Sequence, residues 1–175
     1  MDHRDHVRLL RDGVDGGGRT WADLGSGEGA FTLALADLLG PAGSIYTVDR
    51  DARALQVQLR AVRGTFPNVS ITPLVADFSR PLELPPLEGI VMANSLHFEA
   101  DKAGVLRLVR GYLREGGRLI LVEYDTDEGN RWVPHPLSFR TWQTVAAAAG
   151  FRETRRLAAV PGRFLGSIYS ALSLR

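Results

Sequence analysis

Two kinds of hydrophobic pattern alternate along the chain. Short runs of nearly uninterrupted apolar residues read as buried strands, and stretches with apolar positions three or four apart read as amphipathic helices. "RTWADLG", "SIYTVD", "NVSITPLVAD", "GIVMANSLHF" and "RLILVEYD" predict five strands in turn. After a glycine cluster that follows the first, Phe31, Leu35, Leu38 and Leu39 share a helical face, and "GPAG" ends that helix. In "DARALQVQLRAVRG", Leu55, Leu59 and Val62 form the apolar face, with Arg53, Arg60 and Arg63 elsewhere. Val105, Leu108, Val109 and Tyr112 line a further helix, closed by Gly116 and Gly117. Ser138 is the expected N-cap of a helix through "FRTWQTVAAAAG", stopped by Gly150.

Apolar strands alternating with helices imply an α/β fold, a parallel sheet covered on both faces. The rhythm then changes. "FRETRRLAAV", "PGR" and "FLGSIYSALSLR" read as two strands joined by a short turn. No crossover helix fits between them, so the pair must be antiparallel, which brings the predicted strands to seven.

Composition narrows the chemistry. With 175 residues, 45% of them hydrophobic, the chain suits one domain over 1–175 with a proper core. A net charge of +1 offers no electrostatic attraction to a polyanion. The sequence holds no cysteine, which excludes disulfides, thiolate metal sites and cysteine nucleophiles, and no metal site is expected. "MDHRDHVRLLRDG" is too charged for a signal peptide and no apolar run reaches membrane-spanning length, so no membrane partner and, by default, a cytoplasmic location are expected.

The candidate site starts at "ADLGSGEG", where Gly25, Gly27 and Gly29 stand between a strand and a helix. Ligands of open parallel sheets bind beyond the carboxyl ends of the strands, where strand order reverses. Asp23, Asp49, Asp77 and Asn94 stand at or just after the ends of four consecutive predicted strands. Taken singly, the glycines read as a packing turn and each acid as a solvated loop-former or helix cap. Taken in order, they read as one ligand rim.

Here the chain resembles the class I S-adenosylmethionine-dependent methyltransferases over nearly its whole length. "ADLGSGEG" is similar to the family's first motif, "VDRD" to the second, "VADF" to the adenine-contacting segment and "ANSLHF" to the fourth-strand motif. "LREGGRLILVEYD" resembles the run into strand five. The resemblance implies a Rossmann-like seven-stranded sheet, mostly parallel, with an antiparallel terminal strand inserted between the fifth and sixth and helices on both faces. It also implies S-adenosylmethionine as cofactor. Asp23, Gly25, Gly27 and Glu28 would surround the methionine portion, with Ser26 and Gly29 in the same turn. Asp49 would hold the ribose hydroxyls, Asp77 would accept from the adenine amino group and the Phe78 amide would donate to the ring. Asn94, with Ser95 beside it, would lie along the sulfonium and the amino-acid end. Arg50 stands where the family often has an apolar residue, and either stacks on adenine or points to solvent.

A methyl group leaves a sulfonium by direct displacement, so alignment and exclusion of water can supply much of the catalysis. A base is needed only if the acceptor must lose a proton. His97, Glu123, Tyr124 and His135 are the candidates, with His97 the best placed; its competing reading is a packing histidine. The segment from Asp125 to Pro136, with Trp132 and His135, is expected to shape the acceptor pocket. "NSLHF" differs from the N-P-P-aromatic motif of many DNA and protein methyltransferases, which favours a small-molecule acceptor. Arg152, Arg155, Arg156 and Arg163 read as a solvated face before they read as a nucleic-acid patch, and oligomeric state is left open. The competing functions are an RNA or protein methyltransferase, a non-catalytic cofactor-binding module and an NAD-dependent oxidoreductase. The last would want G-x-G-x-x-G and a parallel final strand.

Overall fold

In the computed structural model, Thr20–Leu24 (β1) is the strand from which both cores grow. Its side chains alternate: Trp21 enters one apolar cluster, while Ala22 and Leu24 enter the other. Residues 1–16, 18–162 and 165–175 are described, so Arg163 lies outside the described residues.

The remaining elements are α1 (His3–Val14), α2 (Ala30–Leu39), β2 (Ser44–Asp49), α3 (Ala52–Thr65), β3 (Ser70–Val75), β4 (Leu87–Ala93), α4 (Lys102–Tyr112), β5 (Leu113–Tyr124), α5 (Phe139–Ala148), β6 (Arg152–Pro161) and β7 (Ser167–Leu174). The seven strands run in the order β3-β2-β1-β4-β5-β7-β6. β7 pairs antiparallel with β5 on one side and β6 on the other. The pairs from β3 through β5 are parallel. The expected insertion of the last strand between the fifth and sixth is therefore what the sheet contains. α1, α2 and Val62 of α3 cover the Trp21 face, and α4 and α5 cover the Ala22 and Leu24 face.

Three local readings change. The first is α1, a helix within the charged start of the chain. Its Asp2 caps the helix by accepting from Asp5 N at 3.0 Å, and Val7, Leu9, Leu10 and Val14 are buried. Arg118 of β5 donates to the carbonyls of Gly13 at 3.0 Å and Asp15 at 2.6 Å, closing the helix's far end. The second is the end of α4, which stops at Tyr112 rather than at the glycines. Leu113 is already paired with Leu87 across the sheet, so Gly116 and Gly117 lie inside β5, within an irregularity of its register with β4. The third is the inward face of α3, where Gln58 rather than Leu59 is fully buried. It goes inside because its Nε2 donates to Thr32 Oγ1 at 2.9 Å.

β4 lies against β1 with Gly89 opposite Trp21. A Cβ built on Gly89 would fall 2.4 Å from the indole ring, so this glycine is a matter of space. Gly89→Ala is expected to destabilise the protein by about 1–3 kcal/mol, the usual cost of overpacking a filled core. Urea unfolding of the variant checks this; an unchanged midpoint would mean that Trp21 yields freely.

Candidate functional site

At the carboxyl end of the sheet, strand order reverses between β1 and β4, and a cleft of about 210 Å³ opens there. Gly25, Asp49, Arg50, Phe78, Asn94, Ser95, Phe98 and Glu99 line it. Six of these eight were expected from sequence; Phe98 and Glu99 were missed, although Phe98 ends the "ANSLHF" segment and Glu99 follows it directly.

The glycine turn is built by two different demands. Gly25 has φ +76°, and a Cβ on it would lie 2.4 Å from Ser95 Cβ, so both its backbone angle and its neighbour require glycine. Ser95 Oγ donates to the Leu24 carbonyl at 2.8 Å, and Gly25 N donates to the Val48 carbonyl at 2.8 Å. The turn is thus clamped between the ends of β4 and β2. At Gly27, with φ +51°, a Cβ would meet nothing within 4 Å, which leaves its surface open. Asp49 fixes this part of the turn: its Oδ2 accepts from Gly27 N at 2.8 Å and its Oδ1 from Asp51 N at 2.9 Å. Each oxygen keeps a lone pair for a further donor. Among the five α-helices described, α2 alone has no side-chain cap at its N-terminus, and it begins on this turn at Gly29. Glu28 is exposed beside it.

Asp23 differs from its expected place. The side chain is 1% exposed and turns beneath the glycines, where its Oδ2 accepts from Thr32 Oγ1 at 2.6 Å. Burial pushes its carboxyl up to about 7, the Thr32 hydrogen bond opposes this, and the charge of Asp49 adds to it. Asn94 lines the cleft with φ 51°, and its buried Oδ1 has no hydrogen-bond partner. Ser26 Oγ in the glycine turn is also buried and unpaired.

The Arg50 side chain is 62% exposed at the edge of the cleft and bridges two acids. One guanidinium nitrogen donates to Asp77 Oδ1 and to Glu99 Oε1, each at 3.0 Å. Asp77 Oδ1 also accepts from Ser79 N at 2.9 Å and Ser79 Oγ at 2.6 Å. Burial works against ionisation of Asp77, but the Ser79 hydrogen bonds and the Arg50 charge outweigh it and hold the carboxyl below its usual range.

The residues expected on the acceptor side separate into two groups. His97, Tyr124 and the loop backbone come together: the rings of His97 and Tyr124 are 6.2 Å apart, and His135 N donates to the His97 carbonyl at 3.0 Å. Trp132 stands outside, 66% exposed, with the Arg131 guanidinium 5.6 Å from its ring. The loop is stitched into place. Asp125 N donates to the Ser167 carbonyl at 2.9 Å, and Asp127 accepts from Ser138 N at 2.9 Å and Thr141 Oγ1 at 2.9 Å. The arginines of β6 diverge: Arg156 pairs with Asp125 at 2.7 Å and covers the Phe139 ring at 4.8 Å, while Arg152 faces Glu115 at 3.8 Å. Among the described residues no group of three or more His, Cys, Asp or Glu is arranged to hold a metal. No described helix is long and apolar enough to cross a membrane.

A glycine turn at the switch point of a sheet ending in an inserted antiparallel strand defines a nucleotide-type binding rim on a methyltransferase topology. The comparisons agree: a family model described as a methyltransferase domain matches residues 17–150, and the chain belongs to that family, the S-adenosylmethionine-dependent methyltransferases of class I. The ubiquinone/menaquinone biosynthesis C-methyltransferase of Pasteurella multocida is 29% identical over 104 residues, which is 58% of this chain and 38% of that protein. The apo structure of the S-adenosylmethionine-dependent methyltransferase SibL superposes with TM-score 0.78 at 18% identity, over 98% of this chain and 55% of the other. A SAM-dependent methyltransferase from Aquifex aeolicus gives TM-score 0.73 at 16% identity, over 98% of this chain and 92% of its own. Magnesium protoporphyrin IX methyltransferase from Synechocystis, solved with bound SAM, gives TM-score 0.73 at 14% identity, covering 99% and 79%. The cofactor of the family is S-adenosylmethionine. The rim fits it in chemistry: unpaired Asn94 Oδ1 and the carboxylates of Asp49 and Glu99 suit a ligand bearing a sulfonium, an ammonium and a ribose diol better than one bearing phosphates.

Asp23 also sets a pH dependence. Unfolded, its carboxyl titrates near 3.8, and folded at about 7. Between those values the unfolded chain releases a proton that the folded chain keeps, so Asp23 lowers stability as pH rises through the window, with no further change above it. Asp23→Asn, which does not titrate, is expected to gain on the wild type between pH 4 and 7 by up to about 4 kcal/mol. Denaturant unfolding of both proteins across that range reads it; a constant difference would place the proton elsewhere.

Proposed function

We propose that the chain transfers a methyl group from S-adenosylmethionine to a small-molecule acceptor by direct displacement. The observation that carries the reading is the convergence of Gly25, Asp49, Phe78 and Asn94 on one cleft at the switch point, with Asn94 Oδ1 buried and unpaired. When bound, the cofactor supplies an electrophilic methyl group on a sulfonium, whose S–C bond breaks with its electron pair left on sulfur.

The chain's part is to bind, orient and exclude water. Asp49, already oriented by two backbone amides, takes the ribose hydroxyls. Asp77 Oδ2, which among the described residues faces only the exposed Arg80 guanidinium at 3.8 Å, and the Phe78 amide meet the adenine edge. Gly25, Ser26, Gly27, Gly29 and Glu28 enclose the amino-acid end, with the uncapped start of α2 toward its carboxylate. Asn94 and Ser95 lie along the sulfonium. Asp23 acts from below, tying β1 to α2 through Thr32. Tyr124 and His135 bound the acceptor side, with the exposed Trp132 at its outer edge. The small size of the acceptor is supported by the relatives named for quinone and porphyrin methylation. The G-x-G-x-G turn and antiparallel β7 oppose a nicotinamide enzyme.

Asp49→Ala is expected to weaken binding of S-adenosylhomocysteine by about 1.5–3 kcal/mol, the range for lost hydrogen bonds to a charged group. Isothermal calorimetry measures it, and wild-type affinity would remove Asp49 from the site. Replacing Trp132 and His135 together with alanine should cut methyl transfer tenfold or more, by order of magnitude for a misplaced acceptor, with cofactor affinity unchanged. Full transfer activity in the double variant would put the acceptor pocket elsewhere on the rim.

A further inference from the structure

His97 and Glu123 form a buried pair that binding and orientation alone do not require. The Glu123 side chain is 0% exposed and that of His97 4%, and both carboxylate oxygens lie 3.0 Å from the same ring nitrogen, Nδ1. Tyr124 N donates to Glu123 Oε1 at 2.8 Å, which fixes the carboxylate in place. His97 itself sits in the single turn Leu96–Phe98, between Ser95 and Phe98, both of which line the cleft. Its ring packs on Phe98 with centroids 4.3 Å apart, and its carbonyl accepts from the acceptor-side loop at His135.

A purely structural account of this pair is weak on two grounds. Burying a carboxylate is costly, and an apolar pair of similar volume commonly serves packing as well or better. Nor does the sheet need the link, because β4 and β5 are already paired through Ala93 and Val122 at this end. What the geometry does achieve is a choice of tautomer. A carboxylate with two oxygens facing Nδ1 accepts a hydrogen bond there, so Nδ1 carries the hydrogen and donates it, and Nε2 keeps its lone pair. Among the described residues Nε2 makes no hydrogen bond.

We infer that Glu123 is a positioning residue that holds His97 as a base, and that the methyl acceptor is a group that must lose a proton: a hydroxyl, a thiol or an acidic carbon. The inference rests on the methyl-transfer reading above. The acceptor's proton passes to Nε2, the electron pair it leaves forms the bond to the methyl carbon, and the imidazolium, held by the Glu123 charge, returns the proton to water. The charged and titratable groups around the pair are Tyr124 beside the ring, Lys102 of α4 and Tyr169 of β7. Burial lowers Lys102 and the nearby charges of Glu123 and Glu99 oppose this; burial raises Tyr169, with Glu123 adding to it. An amine acceptor with a free lone pair has no use for the arrangement.

Two measurements on the full chain test it. Nitrogen-15 NMR of the histidine rings, with His97 assigned by its loss in His97→Gln, should show Nδ1 protonated and Nε2 bare in the wild type near neutral pH. This needs neither cofactor nor acceptor. A ring protonated on Nε2 instead overturns the inference, whatever the protein turns over. The second measurement uses methyl-labelled S-adenosylmethionine with phenol, thiophenol, acetylacetone and aniline as probes. Transfer is expected to the first three, and Glu123→Gln should lower kcat by roughly 10²-fold or more at neutral pH. The loss should shrink as pH rises through the probe's own ionisation, with calorimetric affinity for S-adenosylhomocysteine kept. Transfer to aniline alone, or an unchanged pH profile in Glu123→Gln, overturns it. A wild type that fails to bind S-adenosylhomocysteine defeats the cofactor reading instead, and is told apart because the tautomer is measured without it.

Discussion

The close approach of Ser95 to Gly25 is the contact on which the rim depends. β1 and β4 are neighbours in the sheet but distant in the chain, and between their ends the strand order turns back. Without a side chain at Gly25, the two backbones come close enough for the Ser95 hydroxyl to reach the Leu24 carbonyl. That bond, with the one from Gly25 to Val48, fixes three strand ends relative to one another. Asp49, Phe78 and Asn94 inherit their positions from this clamp. A side chain at Gly25 would act on the geometry of the whole cleft as well as on its volume.

The order of the strands and most of the rim were legible because they follow from local rules. Apolar runs gave the strands, chain spacing forced the last pair antiparallel, and residues at strand ends fall on one edge. What escaped were facts of side-chain direction. Asp23 is two residues beyond Trp21, so the alternation of β1 already turns it to the same covered face, yet its motif suggested a rim position. Gln58 goes inside because of Thr32, a partner on another helix. The joining of His97 to Glu123 spans 26 positions and depends on the register of β4 against β5, which no local pattern encodes. α1 is obscured for a different reason: its charged positions outnumber Val7, Leu10 and Val14, whose spacing is helical.

Charge at the mouth of the cleft is arranged to be exchangeable. Arg50 is 62% exposed on its side chain, and ion pairs of that kind are worth about 0–1 kcal/mol each. Its two bonds can give way to a ligand at little cost, whereas Asp49 is held by the amides of Gly27 and Asp51 and Asp23 by the buried hydroxyl of Thr32 in α2. The rim therefore combines a rigid floor with a loosely held edge. Neutralisation by Arg50 also limits the repulsion among Asp49, Asp77 and Glu99 when no cation is near.

The insertion of β7 between β5 and β6 has a consequence for how the protein is made. Until synthesis reaches Leu174, β5 has an unpaired edge and β6 has no neighbour in the sheet at all. The β5 edge includes Leu119, Ile120, Leu121 and Val122, an apolar stretch of the kind that pairs readily with another chain. The growing chain cannot satisfy that edge with anything already made, so it stays open while β6 and the turn after it are added. Closure then comes as one event that pairs both sides of β7 together. Its hazard is association between chains for as long as the β5 edge lies open.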